Sequence, residues 1–462
     1  METEILTQSP AGEKNIYYDQ SGNRSFNLVD FGFNDKKINE EAIYDFLLYG
    51  AVLPPNTVRQ DIYAMFPGEQ ITVDEGQITR DNQLYKQFSQ RQPLDKDLNY
   101  FVNQLDELLT GYFSAQRKIH KKIGLFLSGG VDSGILASYL QPADVSVSWA
   151  GWGPTTTDYL AAKTIAEKFN LKNHLVVFPD YEKDERLFVN LVGSRQEPFK
   201  LTALPYFRMA QQLQEFAGEK VFCLTGDNAD TAAGSFGEVV RAYKLSRVNK
   251  TLKYFPWRWF YDWQRKLFLL ATDNPLALSA WFHSNGIFPG PWLTLPPKYF
   301  LAKRALVESQ LDKKIHNFND YVLMGMLSTG VVRQMSGIRS VIYRKLGAEF
   351  GLPYCDQRIV EMFLQVSPSI RKLDNFGKII LKKLAVKRAV PQAIIVKGKK
   401  GISYGYKDYL KQKRHLPLWD EMERHQRLNE FINIKMIRQK HQDNFFAFDV
   451  LRSLHYYLLT LN

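Results

Sequence analysis

The run Ser128-Gly129-Gly130-Val131-Asp132-Ser133 carries the clearest chemistry in this chain. It follows the apolar stretch IGLFLS (123–128) and leads into DSGILASYL (132–140), whose spacing is helical. Two glycines let the backbone turn tightly and approach a ligand. The amide N–H groups and the serine hydroxyls then point at anionic oxygens near a helix start. Such a loop is a phosphate cradle. It is not the P-loop of kinases, because GxxxxGK[ST] is absent and an aspartate occupies the loop. A carboxylate beside phosphates is repelled unless a cation intervenes, so Asp132 implies Mg²⁺.

A second segment, Leu224-Thr225-Gly226-Asp227-Asn228-Ala229-Asp230, closes the apolar run KVFCLTG (220–226) and places Asp227 and Asp230 three residues apart. Carboxylates there serve either as helix-start caps or as part of a charged clamp on phosphates. Basic residues concentrate further on. The 60 Lys plus Arg exceed the 48 Asp plus Glu for a formal charge of +12, and residues 371–400 hold ten basic side chains against one acidic, Asp374. A phosphate-rich small ligand accounts for such a run, and a solvated helix face accounts for several of its lysines.

These groups need elements to hold them. From residue 98 a helical pattern (LNYFVNQLDELLTGYFSAQRKI) is followed by short apolar runs at 123–128, 145–151, 174–178 and 220–226. Helical patterns such as DYLAAKTIAEKF and PYFRMAQQLQEFA separate them. Alternation of this kind predicts an α/β fold: an open parallel sheet with right-handed crossovers, binding ligands at the carboxyl ends of its strands. Residues 1–26 are polar and are expected to be loose. Residues 27–95 alternate apolar and polar positions (FNLVDFGF, EQITVDEGQIT) around the helical stretch EEAIYDFLLYG, as a small β-rich unit. Residues 96–240 form the nucleotide-binding core, and residues 241–462 a helical continuation. Within the last part, YFPWRWFYDWQRKLFLL (254–270) interleaves aromatics with Arg, a pattern that stacks bases or simply packs an amphipathic helix.

The loop SGGVDS resembles the pyrophosphate loop of the adenine-nucleotide alpha-hydrolases, which cleave ATP to AMP and pyrophosphate. LTGDNAD resembles the LTGEGADE segment of asparagine synthetases. Further matches run across residues 40–410: Asp158 and His174, Glu197-Pro198 with Ala203-Leu204-Pro205, residues 349–356 (EFGLPYCD) against E-x-R-x-P-F-L-D, and Gly377-Lys378 with residues 397–401 (KGKKG) against GK…RxKxG. The resemblance implies a Rossmann-like ATP-pyrophosphatase domain behind a small remnant of a glutaminase domain, with ATP and Mg²⁺ as cofactors. It also implies that Ser128, Gly129, Gly130, Asp132 and Ser133 hold the pyrophosphate. Leu127, Ala150, Thr225 and Gly226 would line the nucleotide, Asp132 and Asp230 would hold the metal, and Asp227 and Lys399 would serve catalysis. The lysine would meet the charge that develops on departing pyrophosphate.

The chain departs from that family at named positions: Asp227 for Glu, Asn228 for Gly, Thr231 for the second Glu, and Gly351 for Arg. Loss of an arginine fork at 351 points to a carboxylate substrate other than aspartate. With Met1-Glu2-Thr3 at the start and no cysteine before Cys223, glutamine hydrolysis by an amino-terminal cysteine is not expected. The expected reaction is AMP-forming amide synthesis, in which a small-molecule or peptide carboxylate is adenylated and passed to ammonia or an amine, as in beta-lactam synthetases and lasso-peptide cyclases. A separate amine-supplying or substrate-presenting protein is a partner of the expected kind. Two other readings stand beside it: a tRNA-modifying ATP pyrophosphatase, which the +12 charge favours and the absence of a CxxC pair disfavours, and a non-catalytic member of the family. The start METEILTQSPAGEKN lacks a signal-peptide pattern and no apolar run of membrane-spanning length occurs, so a cytoplasmic location is expected.

Overall fold

A computed structural model describes residues 4–9, 15–32, 38–74, 77–81, 92–151, 157–200, 203–218, 221–233, 331–371, 378–397 and 415–461, with a few isolated positions between 287 and 299 and at 410 and 413. The aromatic segment 254–270 lies outside the described residues, as do Lys399 and Lys400.

The amino-terminal part contains β1 (Glu4–Thr7), β2 (Tyr17–Asp19), β3 (Arg24–Ser25), helix α1 (Glu40–Tyr49), β4 (Ile62–Ala64), β5 (Gln70–Asp74) and β6 (Gln77–Asp81). These strands form two three-stranded sheets, ordered β1-β5-β6 and β3-β2-β4. Residues 1–26 therefore contribute paired strands where a loose segment was expected. Their polar composition conceals three anchors, Leu6, Tyr17 and Tyr18, each buried to within a few per cent. The alternation in FNLVDFGF also misleads: Leu28–Phe31 is a single 3₁₀ turn. Asp30 draws it tight by accepting hydrogen bonds from the Ser25 hydroxyl and, at 3.2 Å, from the Asn27 amide. The stretch EQITVDEGQIT does form the β5–β6 hairpin, in register from Gln70–Asp81 to Asp74–Gln77.

The next elements build the central layer. Helix α2 (Leu98–Ile119) buries Phe101, Val102, Leu105, Leu109, Tyr112 and Phe113 along one face, and the Asp97 carboxylate caps its start. Then come β7 (Ile123–Phe126), α3 (Val131–Ala137), β8 (Val145–Trp149), α4 (Thr157–Lys168), β9 (Asn173–Val177), α5 (Tyr181–Arg195), α6 (Leu204–Ala217), β10 (Phe222–Thr225) and α7 (Ala229–Ala233). After α8 (Val331–Leu346), the two-residue strand β11 (Phe350–Gly351) completes a sheet of five strands ordered β11-β10-β7-β8-β9, every neighbouring pair parallel.

The order of these strands matters more than their number. The chain runs from β7 outward through β8 to β9, then returns to insert β10 on the other side of β7. The strand order therefore reverses between β7 and β10. In open sheets of this kind the crossovers on either side of such a reversal leave on opposite faces, and ligands bind in the crevice at the carboxyl ends of the strands.

The remaining helices are α9 (Gln357–Leu364), α10 (Pro368–Arg371), α11 (Ile379–Lys387), α12 (Gln392–Lys397), α13 (Leu416–Arg424), α14 (Gln426–Phe431), α15 (Ile434–His441) and α16 (Phe445–Leu459). One contiguous apolar core runs from α1 through the sheet to α16. Among the described residues no helix is long and apolar enough to cross a membrane.

Candidate active site at the switch point

Both sequence motifs arrive at the reversal. Phe126 and Thr225 are directly paired across β7 and β10, so the two loops leave the sheet at the same level. The first loop closes on Ser133. Its hydroxyl accepts from the Ser128 N–H at 3.2 Å, lies 2.9 Å from the Ser128 hydroxyl and donates to the Gly130 carbonyl at 3.3 Å. Gly129 has φ of +72°, and a Cβ there would press into the Asp158 carbonyl and come within 2.9 Å of the Ala162 nitrogen. Glycine adopts that conformation without strain, and its missing side chain permits the close approach to the start of α4.

The second loop touches the first. A Cβ on Gly226 would stand 2.9 Å from the Ser133 nitrogen and 3.1 Å from the Asp132 carbonyl carbon. Next in sequence, Asn228 adopts φ of +71°, a left-handed conformation that asparagine tolerates better than most residues. Its side-chain amide donates to the Tyr354 carbonyl at 3.2 Å. The Tyr354 hydroxyl donates in turn to the Asp132 carbonyl at 3.1 Å. This tyrosine, fully buried just after β11, ties the two loops together. Burial, and then the nearby Asp132 charge, push its pKa far above the usual range, so it stays a donor.

The acidic residues separate into two roles. Asp227 accepts from the Thr225 hydroxyl at 2.6 Å and from the Tyr206 hydroxyl at 3.2 Å. Asp132 and Asp230 instead share one cation, Lys378. Its Nζ lies 3.1 Å from Asp132 Oδ2 and makes a still closer ion pair with Asp230. Burial opposes the charge on Lys378, but the two carboxylates outweigh it and hold its pKa above the ordinary lysine range. The lysine begins α11, which packs along α2 and α3. At the far end of α11, Lys387 and Arg388 bind Asp106 of α2 at 2.9 and 2.6 Å, and Arg388 stacks 4.0 Å above the Tyr139 ring. Three cations of the basic run are thus committed to carboxylates of the fold.

The remaining expected positions are distributed as follows. Leu127 and Ala150 are buried at the ends of β7 and β8, their N–H groups bonded to Val147 and Val177 at 2.8 and 2.9 Å. His174 on β9 lies 2.9 Å from the Ser146 hydroxyl and 3.4 Å from that of Ser148, which bonds the Leu127 carbonyl at 2.7 Å. Burial holds the His174 imidazole below its usual pKa. Glu197 turns away from the loops, pairing with Arg195 at 2.6 Å and with the Tyr17 hydroxyl at 3.4 Å, so it docks the amino-terminal sheet. Gly351 is closely enclosed. In β11 it faces Leu224, and a Cβ would run into the Tyr112 hydroxyl and the Phe222 ring and come within 2.8 Å of Leu224. Those side chains would have to shift to admit anything larger than glycine at this position.

Two carboxylates that converge on Lys378 fit a magnesium site, because Mg²⁺ takes hard oxygen donors and is commonly held by one or two carboxylates plus substrate phosphates. Among the described residues no cluster of three or more His, Cys, Asp or Glu could hold a metal by itself. Asp132 and Asp230 would hold such an ion together with water and substrate phosphate oxygens. Lys378 escaped notice in the sequence as anything beyond half of a GK pair. Its partner Asp132 lies 246 residues away.

An open parallel sheet whose switch point carries a glycine loop and an acidic pair defines an α/β domain. The chain belongs to the asparagine synthase family, which it matches over residues 104–447. It is also similar to asparagine synthetase [glutamine-hydrolyzing] 1 of Bacillus subtilis (strain 168), at 22% identity over 261 residues. That alignment takes in 54% of this chain and 39% of the relative, so the match spans well under half of the relative's length.

Proposed function

We propose that the chain is an ATP-dependent, AMP-forming carbon–nitrogen ligase. The observation that carries the reading is the meeting of SGGVDS and LTGDNAD at one level of the switch point, with Asp132 and Asp230 both converging on Lys378. A carboxylate oxygen of the substrate attacks the α-phosphorus of ATP, and the bond to the bridging oxygen breaks, releasing pyrophosphate. Ammonia or an amine then attacks the acyl carbon, and AMP departs as the amine loses its proton.

In this scheme the loop amides and the Ser128 and Ser133 hydroxyls cradle the pyrophosphate, while Leu127, Ala150, Thr225 and Gly226 border the nucleotide. Asp132 and Asp230 hold Mg²⁺, which when bound neutralises charge on the phosphate oxygens. Asp227 keeps Thr225 and Tyr206 oriented at the rim. Lys399, outside the described residues, is assigned to the leaving phosphates. The nitrogen source is ammonia or an amine, since both cysteines are buried and burial pushes the Cys223 thiol up to about 12, leaving it protonated and inert. The carboxylate is a small molecule or a peptide group, and nucleic acid is not the substrate.

The test is pyrophosphate release from Mg·ATP across a panel of carboxylates and amines, comparing the natural chain with Asp132→Asn. That change keeps the shape of the side chain and removes a metal-binding charge. The variant is expected to fold normally and lose turnover. Turnover at the unchanged rate in the variant, or pyrophosphate release that depends on tRNA rather than on a carboxylate, sinks the proposal.

A further inference from the structure

Lys378 stands where a metal ion between Asp132 and Asp230 is expected. Three separate elements bring the groups together: Asp132 opens α3, Asp230 lies in α7 and Lys378 precedes α11. The ammonium is 3.1 and 3.4 Å from the two oxygens of Asp132 and closer still to Asp230. Its side chain is 21% exposed and that of Asp132 12%, so water screens that contact poorly, while Asp230, 43% exposed, forms the solvent side of the cluster. An ammonium and a divalent ion cannot share two carboxylates at such range without strong mutual repulsion.

The geometry points to Lys378 as a resident counter-cation that closes the acidic pair to free divalent ions and yields it only to a metal arriving on a triphosphate. The inference rests on the ATP reading above. Free metal ion gives the displaced ammonium no new partner, whereas a metal–triphosphate complex brings phosphate oxygens with it. Lysine suits the exchange because it is a compact point charge on a flexible four-carbon stem, so rotation of side-chain bonds suffices and the helix start can stay in place. Lys378 is thus a positioning residue. It keeps Asp132 and Asp230 at a set separation before the nucleotide enters, and it makes metal entry conditional on nucleotide.

Mn²⁺ is the probe, titrated into the full chain and followed by the electron paramagnetic resonance of the free ion, with and without ATP. The natural chain is expected to bind Mn²⁺ weakly alone and tightly with ATP. Lys378→Met is expected to bind Mn²⁺ alone at least about tenfold more tightly, and adding Asp230→Asn should abolish that gain. Should Lys378→Met fail to fold, Lys378→Gln removes the charge while keeping a polar contact, and the same gain is expected. Lys378→Arg keeps the charge and should stay at the natural affinity; a gain there overturns the electrostatic argument. Unchanged Mn²⁺ affinity in the neutral variants, with Mn·ATP still bound by the natural chain, overturns the role of Lys378 and leaves the ATP reading standing. Failure of the natural chain to bind Mn·ATP overturns both.

Discussion

Replacing Gly226 by alanine tests whether the two loops work as one site. The added methyl would stand 2.9 Å from the Ser133 nitrogen and 3.1 Å from the Asp132 carbonyl carbon. Both are main-chain atoms and cannot rotate aside. Ordinary carbon contacts need about 3.5 Å, so one loop must retreat by roughly half an ångström from the other. Overpacking of this kind costs about 1 to 3 kcal/mol. Whatever share is relieved by loop movement appears as misplacement of Asp132 and of the cradle amides, and misplacement by about 1 Å lowers rates roughly a hundredfold. The expected result is a folded variant with a modestly lowered midpoint in urea and an affinity for Mg·ATP, measured by calorimetry, weakened at least tenfold. Unchanged affinity together with unchanged stability would refute the claim that the loops touch at Gly226.

Two further outcomes follow from buried polar groups. Tyr354→Phe removes the hydroxyl that reaches the Asp132 carbonyl, and loss of a partner for a buried polar group costs about 1 to 3 kcal/mol; an unfolding free energy in urea equal to that of the natural chain would dismiss Tyr354 as the tie between the loops. Acidification should destabilise the carboxyl-terminal helices through His455, whose pKa burial, then the neighbouring His425, depress from 6.5 to about 4. The unfolded chain then binds the proton more readily than the folded one, so this contribution is complete above pH 6.5 and is lost as pH falls toward 4. Between pH 7 and pH 5 the loss is about 2 kcal/mol. Urea titrations at the two pH values should show it, and His455→Asn should reduce the difference by about that amount; equal losses in both proteins would exonerate this histidine.

The parts of the site that were legible in the sequence are those where local chemistry leaves few alternatives. A glycine pair after an apolar strand, such as Gly129-Gly130, advertises close backbone approach, and four of the five parallel strands announced themselves as short apolar runs. What escaped was non-local. Strand β11 is two residues long and acquires meaning only beside Cys223 and Leu224. Helix α5 is predominantly polar and hides a narrow buried stripe of Phe188, Leu191 and Val192. Lys378 looked like one lysine of a basic run until the fold set it on two carboxylates.

The position of β10 has a consequence for how the chain comes to fold. Strands β7, β8 and β9 follow one another with short crossovers, so they can associate early, through contacts close in sequence. The crevice needs two later arrivals: β10 inserted beside β7, and Lys378 closing on Asp132 across 246 residues. Closure of such long loops comes at an entropic cost that only the finished contacts repay. A growing or refolding chain therefore holds its glycine loop long before it holds its acidic pair. Nucleotide affinity should be among the last properties to appear, making it a clock for the completion of folding as much as a measure of the site.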